Sequence, residues 1–136
     1  LLNELRSNVR QLAGNKEIII SNDIAVDKIQ IDKGVFFRVL ENLLQNALRY
    51  AEKQVSINLS HKKDFLILTV KDDGKGFSAA DLEKATTVFY SNDKEKQHFG
   101  IGLSVCKILC EKHGGLLYVG NQKEKGACVT AKLKSF

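Results

Sequence analysis

Hydrophobic residues recur every three or four positions in residues 1–13 and 33–52, and this spacing predicts two amphipathic helices. The first pattern is already under way at the first residue. The second presents one broad apolar arc, as expected of a helix that lies on a sheet. Asp32 can cap this helix, because a carboxylate accepts hydrogen bonds from the free amides of the first turn. Two further helices are predicted, a weak one near 79–87 and another from 100 to 113.

Between these helices, β-branched runs and alternating apolar and polar residues predict short strands. They cover residues 18–20, 29–31, 54–60, 66–70, 116–119 and 127–133. Residues 61–64 and 122–126 form the turns of two hairpins, and Gly114 can end the last helix in a left-handed cap. The mixture of helices and strands predicts an α/β domain.

Length and composition fit one compact domain. The chain has 136 residues, 43% of them apolar, and no apolar run approaches the roughly 20 residues of a membrane-spanning helix. The cysteines are odd in number, and Cys106 and Cys110 lie four residues apart in a helical pattern. That spacing suits small buried apolar side chains better than a disulfide framework. We therefore expect a soluble domain in a reducing, cytoplasmic setting.

The net charge of +5 comes from lysines that are scattered along the sequence rather than clustered. Aromatic residues do not alternate with basic ones, as they would on a surface that stacks nucleic-acid bases. We therefore expect solvated lysines and no nucleic-acid partner.

One edge of the second predicted helix carries polar side chains that could bind a ligand. At 100° per residue, Asn42, Asn46, Arg49 and Tyr50 fall within an arc of about 100° beside the apolar face. A side-chain amide oxygen is a hard neutral ligand that Mg²⁺ accepts together with phosphate oxygens and water. Asn46 fits that role, although the polar flank of an ordinary amphipathic helix looks the same.

A carboxylate followed by two glycines comes directly after the strand 66–70. In Asp72-x-Gly74-x-Gly76 the glycines allow tight turns and close approach of a ligand to the backbone. A carboxylate there can accept a hydrogen bond from the amino group of adenine, whereas guanine presents a carbonyl oxygen in the same place. Taken alone, the pattern also fits a plain turn between a strand and a helix.

A second glycine pair, Gly100-Ile101-Gly102-Leu103, opens the last predicted helix. Free amides and the positive dipole end of a helix N-terminus bind phosphate. Glycines are also common at helix starts, so this signal is weak alone. No Gly-Lys-Ser/Thr follows, which excludes a Walker A loop.

The three signals in this order resemble the motifs of sensor histidine kinases. The run Asn42-Leu-Leu-Gln-Asn46-Ala-Leu-Arg49-Tyr50 looks like their N box. Residues 72–76 resemble their first glycine box and residues 100–103 the second, and the similarity extends over residues 15–134. The N-box spacing is its most specific part.

This resemblance implies a two-layer α/β sandwich, the Bergerat-type ATP-binding fold, in which a mixed β-sheet packs on three helices and ATP lies beneath a flexible lid. Residues 14–136 would be the catalytic domain. Residues 1–13 would be the end of a linker helix from a preceding dimerisation and phosphoacceptor domain. The domain would transfer the γ-phosphate of Mg²⁺·ATP to a histidine on that separate domain, which in turn serves a response regulator. The fragment would be monomeric, and its parent a homodimer anchored in the cell membrane.

The resemblance also implies roles for individual residues. Asn46 would ligate Mg²⁺, Asn42 would support the phosphate and metal site, and Arg49 would reach the phosphates; these three would be the catalytic residues. Tyr50 would pack on the adenine, and Asp72 would bind its amino group. The remaining nucleotide contacts would come from Gly74, Gly76, Phe77, Phe89, Lys94, Gly100, Ile101, Gly102, Leu103 and Thr130.

The sequence departs from the family pattern in the lid. The phenylalanine box is recognisable only in residues 88–90, and the lid at 91–99 is short, with lysines in place of arginine. His98 stands where a glycine often begins the second glycine box. None of the histidines, at positions 61, 98 and 113, lies on a long helix before an acidic residue, which is the setting of the family's acceptor.

Two other functions stay open at this stage. Hydrolytic relatives, such as the gyrase, mismatch-repair and chaperone ATPases, place a water-activating glutamate where this chain has Asn42. Glu41 lies about 100° away around the helix and is poorly placed to substitute. The second alternative is a nucleotide-binding module with weakened catalysis, which the reduced phenylalanine box would suit.

Overall fold

A computed structural model describes residues 1–23, 29–84 and 94–136. The elements are, in chain order, α1 (Leu2–Ala13), β1 (Glu17–Asn22), α2 (Lys33–Tyr50), β2 (Gln54–Lys62), β3 (Phe65–Asp72), α3 (Ala79–Lys84), α4 (Lys94–Lys112), β4 (Leu116–Asn121) and β5 (Ala127–Lys134).

The five strands form one mixed sheet in the order β1-β2-β3-β5-β4. β1 runs parallel to β2, and every other neighbouring pair is antiparallel. The register places Val55 beside Asp72 and Val70 beside Val129. The predicted α/β class with a mixed sheet is therefore confirmed.

One face of the sheet is buried beneath the helices. Along β2, β3 and β5, buried residues recur two positions apart, as the alternation of side chains in a strand requires. α2 and α4 pack on this face and on each other. The largest fully buried side chains are Phe36, Leu5, Leu40, Leu43, Leu44, Ile57, Leu59, Leu66, Leu68, Leu103 and Val39. The apolar arc predicted for the second helix is thus the face that covers the sheet.

Local capping chemistry sets two helix ends. The Asp32 side chain accepts a hydrogen bond from the Val35 amide at 3.1 Å, which confirms the predicted cap of α2. At the end of α4, Gly114 adopts a left-handed φ of 77°. The Gly115 amide then donates to the Cys110 carbonyl at 2.7 Å and satisfies one of the last carbonyls of the helix.

The predicted start of the last helix is wrong. α4 begins at Lys94, six residues before Gly100. The segment 94–98 consists mostly of lysine, glutamate and glutamine, which have high helix propensity. It contains no proline that would stop the helix. Of the weak helix predicted near 79–87, α3 covers 79–84, and residues 85–87 lie outside the described ranges.

The strand predicted at 29–31 is also wrong. Residues 29–32 lie outside the sheet, although Ile29 and Ile31 pack against the core. The Phe136 amide donates to the Gln30 carbonyl at 2.7 Å. A β-branched pattern reports side-chain packing on a half-buried surface, and it does not guarantee a pairing partner. The first hairpin turn narrows to Lys63 and Asp64 because both flanking strands are longer than predicted.

α1 packs into the same core as the rest of the chain. Leu5 is fully buried and Val9 is 4% exposed, and the helix contacts α2 and β1. A connection from residues 1–13 to a preceding domain stays a prediction. None of the helices in the described ranges has the length and apolar character to cross a bilayer.

Candidate functional site

The carboxylate of Asp72 lies at the end of β3 on the helix-covered face of the sheet. Asp72 as a whole is 4% exposed. Oδ1 accepts hydrogen bonds from the amides of Gly74 at 2.8 Å and Ala127 at 3.3 Å. Burial raises the pKa of the carboxyl group, and these two amide bonds partly oppose the increase. The backbone therefore holds one carboxylate oxygen in a fixed orientation.

Two glycines allow the backbone to close around this carboxylate. A Cβ atom at Gly74 would lie 2.1 Å from the Tyr50 carbonyl oxygen, so the glycine loop touches the last residue of α2. Gly126 has a φ of 98°, and a Cβ atom there would lie 1.8 Å from the Asp72 carbonyl oxygen. The glycine loop, the end of α2 and the β4–β5 hairpin thus meet at Asp72.

Asp73 fixes the same loop from its outer side. Its Oδ1 accepts from the Glu52 and Lys53 amides at 2.7 and 3.1 Å, and its Oδ2 accepts from Lys53 and Gln54 at 3.0 and 3.2 Å. Burial would raise the pKa of Asp73, but the amides of Lys53, Glu52 and Gln54 hold it below its usual value. No local sequence pattern marks this role, because the donors lie about twenty positions earlier.

Asn121, on β4, fixes the far end of the loop. Its Oδ1 accepts from the Phe77 amide at 2.8 Å, and its Nδ2 donates to the Phe77 carbonyl at 2.9 Å. Phe77 is 9% exposed, and a Cβ atom at Gly76 would lie 2.8 Å from the Asn121 Oδ1 atom. The pairing of Asn121 with Phe77 spans 44 positions and was missed at the sequence level.

The polar edge of α2 runs toward this loop. Tyr50 ends the helix beside Gly74, Arg49 is exposed, and Asn42 and Asn46 are half-buried. Asn42 lies near the Cys106 thiol of α4, and this thiol donates a hydrogen bond to the Val39 carbonyl at 3.8 Å. Burial raises the pKa of that thiol to about 12, and the nearby Asn42 side chain only partly opposes the increase.

The second glycine motif does not form a helix N-terminus here. Gly102 and Leu103 lie inside α4, so their amides belong to the interior of a helix that began at Lys94. Leu103 is 1% exposed, whereas a Cβ atom at Gly102 would meet nothing within 4 Å. The residues Gly100, Ile101 and Lys94 are described only as helix backbone, and Phe89 lies outside the described residues.

Thr130 does not reach the site. It alternates with the buried residues Val129 and Ala131, so its side chain lies on the sheet face opposite Asp72. Its hydroxyl oxygen is 3.3 Å from that of Thr69. The predicted nucleotide contact of Thr130 is therefore wrong.

Metal binding at this site would depend on the α2 edge. Within residues 1–23, 29–84 and 94–136, no cluster of three or more histidine, cysteine, aspartate or glutamate side chains could hold a metal ion. Mg²⁺ usually keeps several waters and takes one or two protein ligands plus phosphate oxygens. The amide oxygen of Asn46 is a donor of that kind.

Comparison with known proteins defines the class. Residues 31–135 match the family described as histidine kinase-, DNA gyrase B- and HSP90-like ATPases, and the chain belongs to this family. The resemblance to histidine kinases is confirmed by relatives. Sensor histidine kinase SpaK of Bacillus subtilis is 35% identical over 98% of this chain, and sensor histidine kinase WalK of the same species is 31% identical over 77%. The chain spans only 30% and 18% of these two relatives.

Solved structures share the fold. The nucleotide-free catalytic domain of histidine kinase ThkA is 23% identical, with a TM-score of 0.78 over 98% of this chain and 93% of that one. Full-length ShkA in complex with AMPPNP is 22% identical, with a TM-score of 0.77 over 98% of this chain and 29% of that one.

Proposed function

We propose that this chain is the Mg²⁺·ATP-binding catalytic domain of a sensor histidine kinase. It would transfer the γ-phosphoryl group to a histidine on a separate dimerisation domain. The observation that carries the proposal is the Asp72 carboxylate, which two backbone amides hold at the junction of the glycine loop and the end of α2. The named relatives and the AMPPNP complex of ShkA support the same function.

In this proposal, each site residue binds the nucleotide or orients part of it. The amides of Gly74 and Ala127 hold Oδ1 of Asp72. Its Oδ2 atom accepts a hydrogen bond from the amino group of adenine. Tyr50 packs beside the base, and Arg49 reaches toward the phosphates. Asn46 would hold Mg²⁺, which would supply positive charge beside the phosphate oxygens.

The transfer itself needs an aligned nucleophile. An imidazole nitrogen of the partner domain forms a bond to the γ-phosphorus while the bond to the β–γ bridging oxygen breaks, and ADP leaves. Positioning and charge stabilisation supply most of the rate enhancement in phosphoryl transfer.

The environment of Asn42 favours a kinase over a hydrolase. Asn42 lies beside the Cys106 thiol of α4, and it is an amide, which cannot act as a general base, where the hydrolytic relatives carry a glutamate. Glu41 is exposed, and it points away around the helix. Neither side chain is placed to take a proton from water beside the phosphates.

Phosphorylation in trans tests the proposal. The chain, ATP labelled in the γ-phosphate and Mg²⁺ are mixed with a helical-hairpin domain from a sensor kinase, with its acceptor histidine replaced by glutamine as control. Acid-labile label on the hairpin domain, lost in the control, is expected. Free phosphate in the absence of the hairpin would favour a hydrolase, and ATP binding without either product would favour a weakened module. Failure to bind ATP would refute the proposed function.

A further inference from the structure

The last turn of α2 receives a lysine from a distant part of the chain. Lys16, between α1 and β1, donates from Nζ to the carbonyl oxygens of Leu48 and Ala51, the second at 2.8 Å. These partners are 32 and 35 positions away. The ammonium group is partly buried, and it meets the helix end that carries Arg49 and Tyr50.

The chemistry of a helix end explains the contact. The last four carbonyls of an α-helix have no partner within the helix, and together they form its negative dipole end. The helix cap satisfies the Ala47 carbonyl, through the Ala51 amide at 2.8 Å. Lys16 satisfies the next one, Leu48, and adds a positive charge where the dipole is negative.

Lys16 is itself held in place by the backbone. Its amide donates to the Ala13 carbonyl at 3.3 Å, and the Glu17 amide donates to the Lys53 carbonyl at 3.0 Å, which begins the pairing of β1 with β2. The ammonium therefore reaches α2 from a fixed point of the sheet edge.

The glycine loop contacts the same helix end. Gly74 packs on the Tyr50 carbonyl, and the Asp73 carboxylate holds the amides of residues 52–54. Displacement of the last turn would therefore shift Tyr50 and the loop that carries Asp72 together.

We propose that Lys16 is a positioning residue of the nucleotide site, which holds the end of α2 in register with the Asp72–Gly76 loop. This inference rests on the proposed ATP-binding function. It assigns part of the site to a residue outside the three motifs, in a segment that precedes the matched region 31–135.

The test uses ADP binding by calorimetry with four variants of the whole chain and a fifth held in reserve. Lys16→Met removes the charge at similar length, and Lys16→Arg keeps it. Lys33→Met removes an exposed lysine that pairs with Glu4 at 2.8 Å at the opposite end of α2. Val9→Ala lowers stability through a buried α1 residue without touching the α2 end. Lys16→Gln, which keeps a neutral donor, serves if Lys16→Met does not fold.

Lys16→Met is expected to bind ADP roughly three- to tenfold more weakly than the unmodified chain, from the energy of a charge at a helix terminus. Lys16→Arg should stay within about twofold, since the charge is retained. Lys33→Met and Val9→Ala should bind as the unmodified chain does at temperatures where they are folded.

The pH profile gives a readout that a stability loss alone would not move. Among the described residues, the charged groups that act on the Asp72 carboxyl are Asp73, which raises its pKa, and Lys16, which lowers it. Without Lys16, the acid-side midpoint of ADP binding should move to higher pH, whereas in Val9→Ala it should stay in place.

Equal ADP affinity in Lys16→Met and Val9→Ala, with the same pH midpoint, would overturn the role of Lys16 while leaving ATP binding intact. A loss of ADP affinity in Lys16→Arg as large as that in Lys16→Met would also overturn it. If the unmodified chain does not bind ADP, the proposed function fails first, and this inference fails with it.

Discussion

Replacement of Asp72 by asparagine separates ligand binding from folding at the same side chain. The asparagine Oδ1 atom can still accept from the Gly74 and Ala127 amides, so the loop should keep its shape. The amide nitrogen, however, takes the place of Oδ2 and presents hydrogens to the amino group of adenine. A hydrogen bond to a charged group contributes about 1.5–3 kcal/mol, so ADP affinity should fall by about 10- to 150-fold.

The stability of Asp72→Asn should not fall at neutral pH. Burial raises the pKa of Asp72 in the folded chain. The stabilisation linked to the protonated carboxyl group is therefore fully present below the pKa that Asp72 has in the unfolded chain. It is lost as pH rises through the pKa that Asp72 has in the folded chain. Asparagine carries no charge to bury, and its variant should unfold at the same temperature as the unmodified chain or higher. The difference should disappear in acid.

Calorimetry with ADP and GDP, beside thermal unfolding at pH 7 and pH 4, measures both effects. The preference for ADP over GDP should shrink, because an amide can donate to the carbonyl oxygen of guanine. Unchanged ADP affinity in a folded Asp72→Asn variant would refute the assigned role, and collapse of the fold would refute the assignment of Oδ1 to the backbone amides.

Asp73→Asn is the matched control, since the neighbouring carboxylate has the opposite environment. Burial would raise the pKa of Asp73, but hydrogen bonds from backbone amides lower it below its usual value. Its stabilising contribution is therefore present above the unfolded pKa and is lost as pH falls through the folded pKa. Asp73→Asn should lower stability at neutral pH by about 1 kcal/mol after allowance for solvent screening, with a smaller loss of ADP affinity than Asp72→Asn. If the two variants shift stability in the same direction at pH 7, the contrast between their environments is wrong.

Three further experiments probe other contacts. Asn46→Ala should remove the Mg²⁺ dependence of ATP binding while adenosine affinity changes little; an equal loss for both ligands would contradict the metal role. Gly74→Ala should destabilise the fold by at least about 2 kcal/mol in chemical denaturation, because its Cβ atom would lie 2.1 Å from a backbone oxygen. In the native chain a thiol reagent should modify the half-buried Cys128 and spare the buried Cys106 and Cys110, whose thiol pKa values burial raises to about 12; comparable labelling of all three would show that α4 opens.

Features set by local chemistry could be predicted from the sequence, and those set by distant partners could not. The Asp32 cap and the Gly114 turn depend on residues within a few positions, and both were predicted. The roles of Asp73, Asn121 and Lys16 depend on backbone groups 19 or more positions away, and no local pattern marks them.

The wrong predictions have identifiable causes. The glycine pair at Gly100 and Gly102 indicates a helix terminus, yet the polar residues before it are good helix formers and α4 begins at Lys94. The family resemblance places Thr130 at the site without regard to strand alternation. Its place between two buried neighbours could have shown that it faces the other side of the sheet.

The close packing of Gly126 has a consequence for how relatives of this domain diverge. Any side chain there would overlap the Asp72 carbonyl oxygen whether or not a ligand is ever bound. The fold alone therefore selects for this glycine, whereas in the proposed function ligand binding would select for Asn46. A descendant that had lost nucleotide chemistry should keep the glycine and vary at the asparagine, so the two positions together would distinguish an inactive copy from an active one.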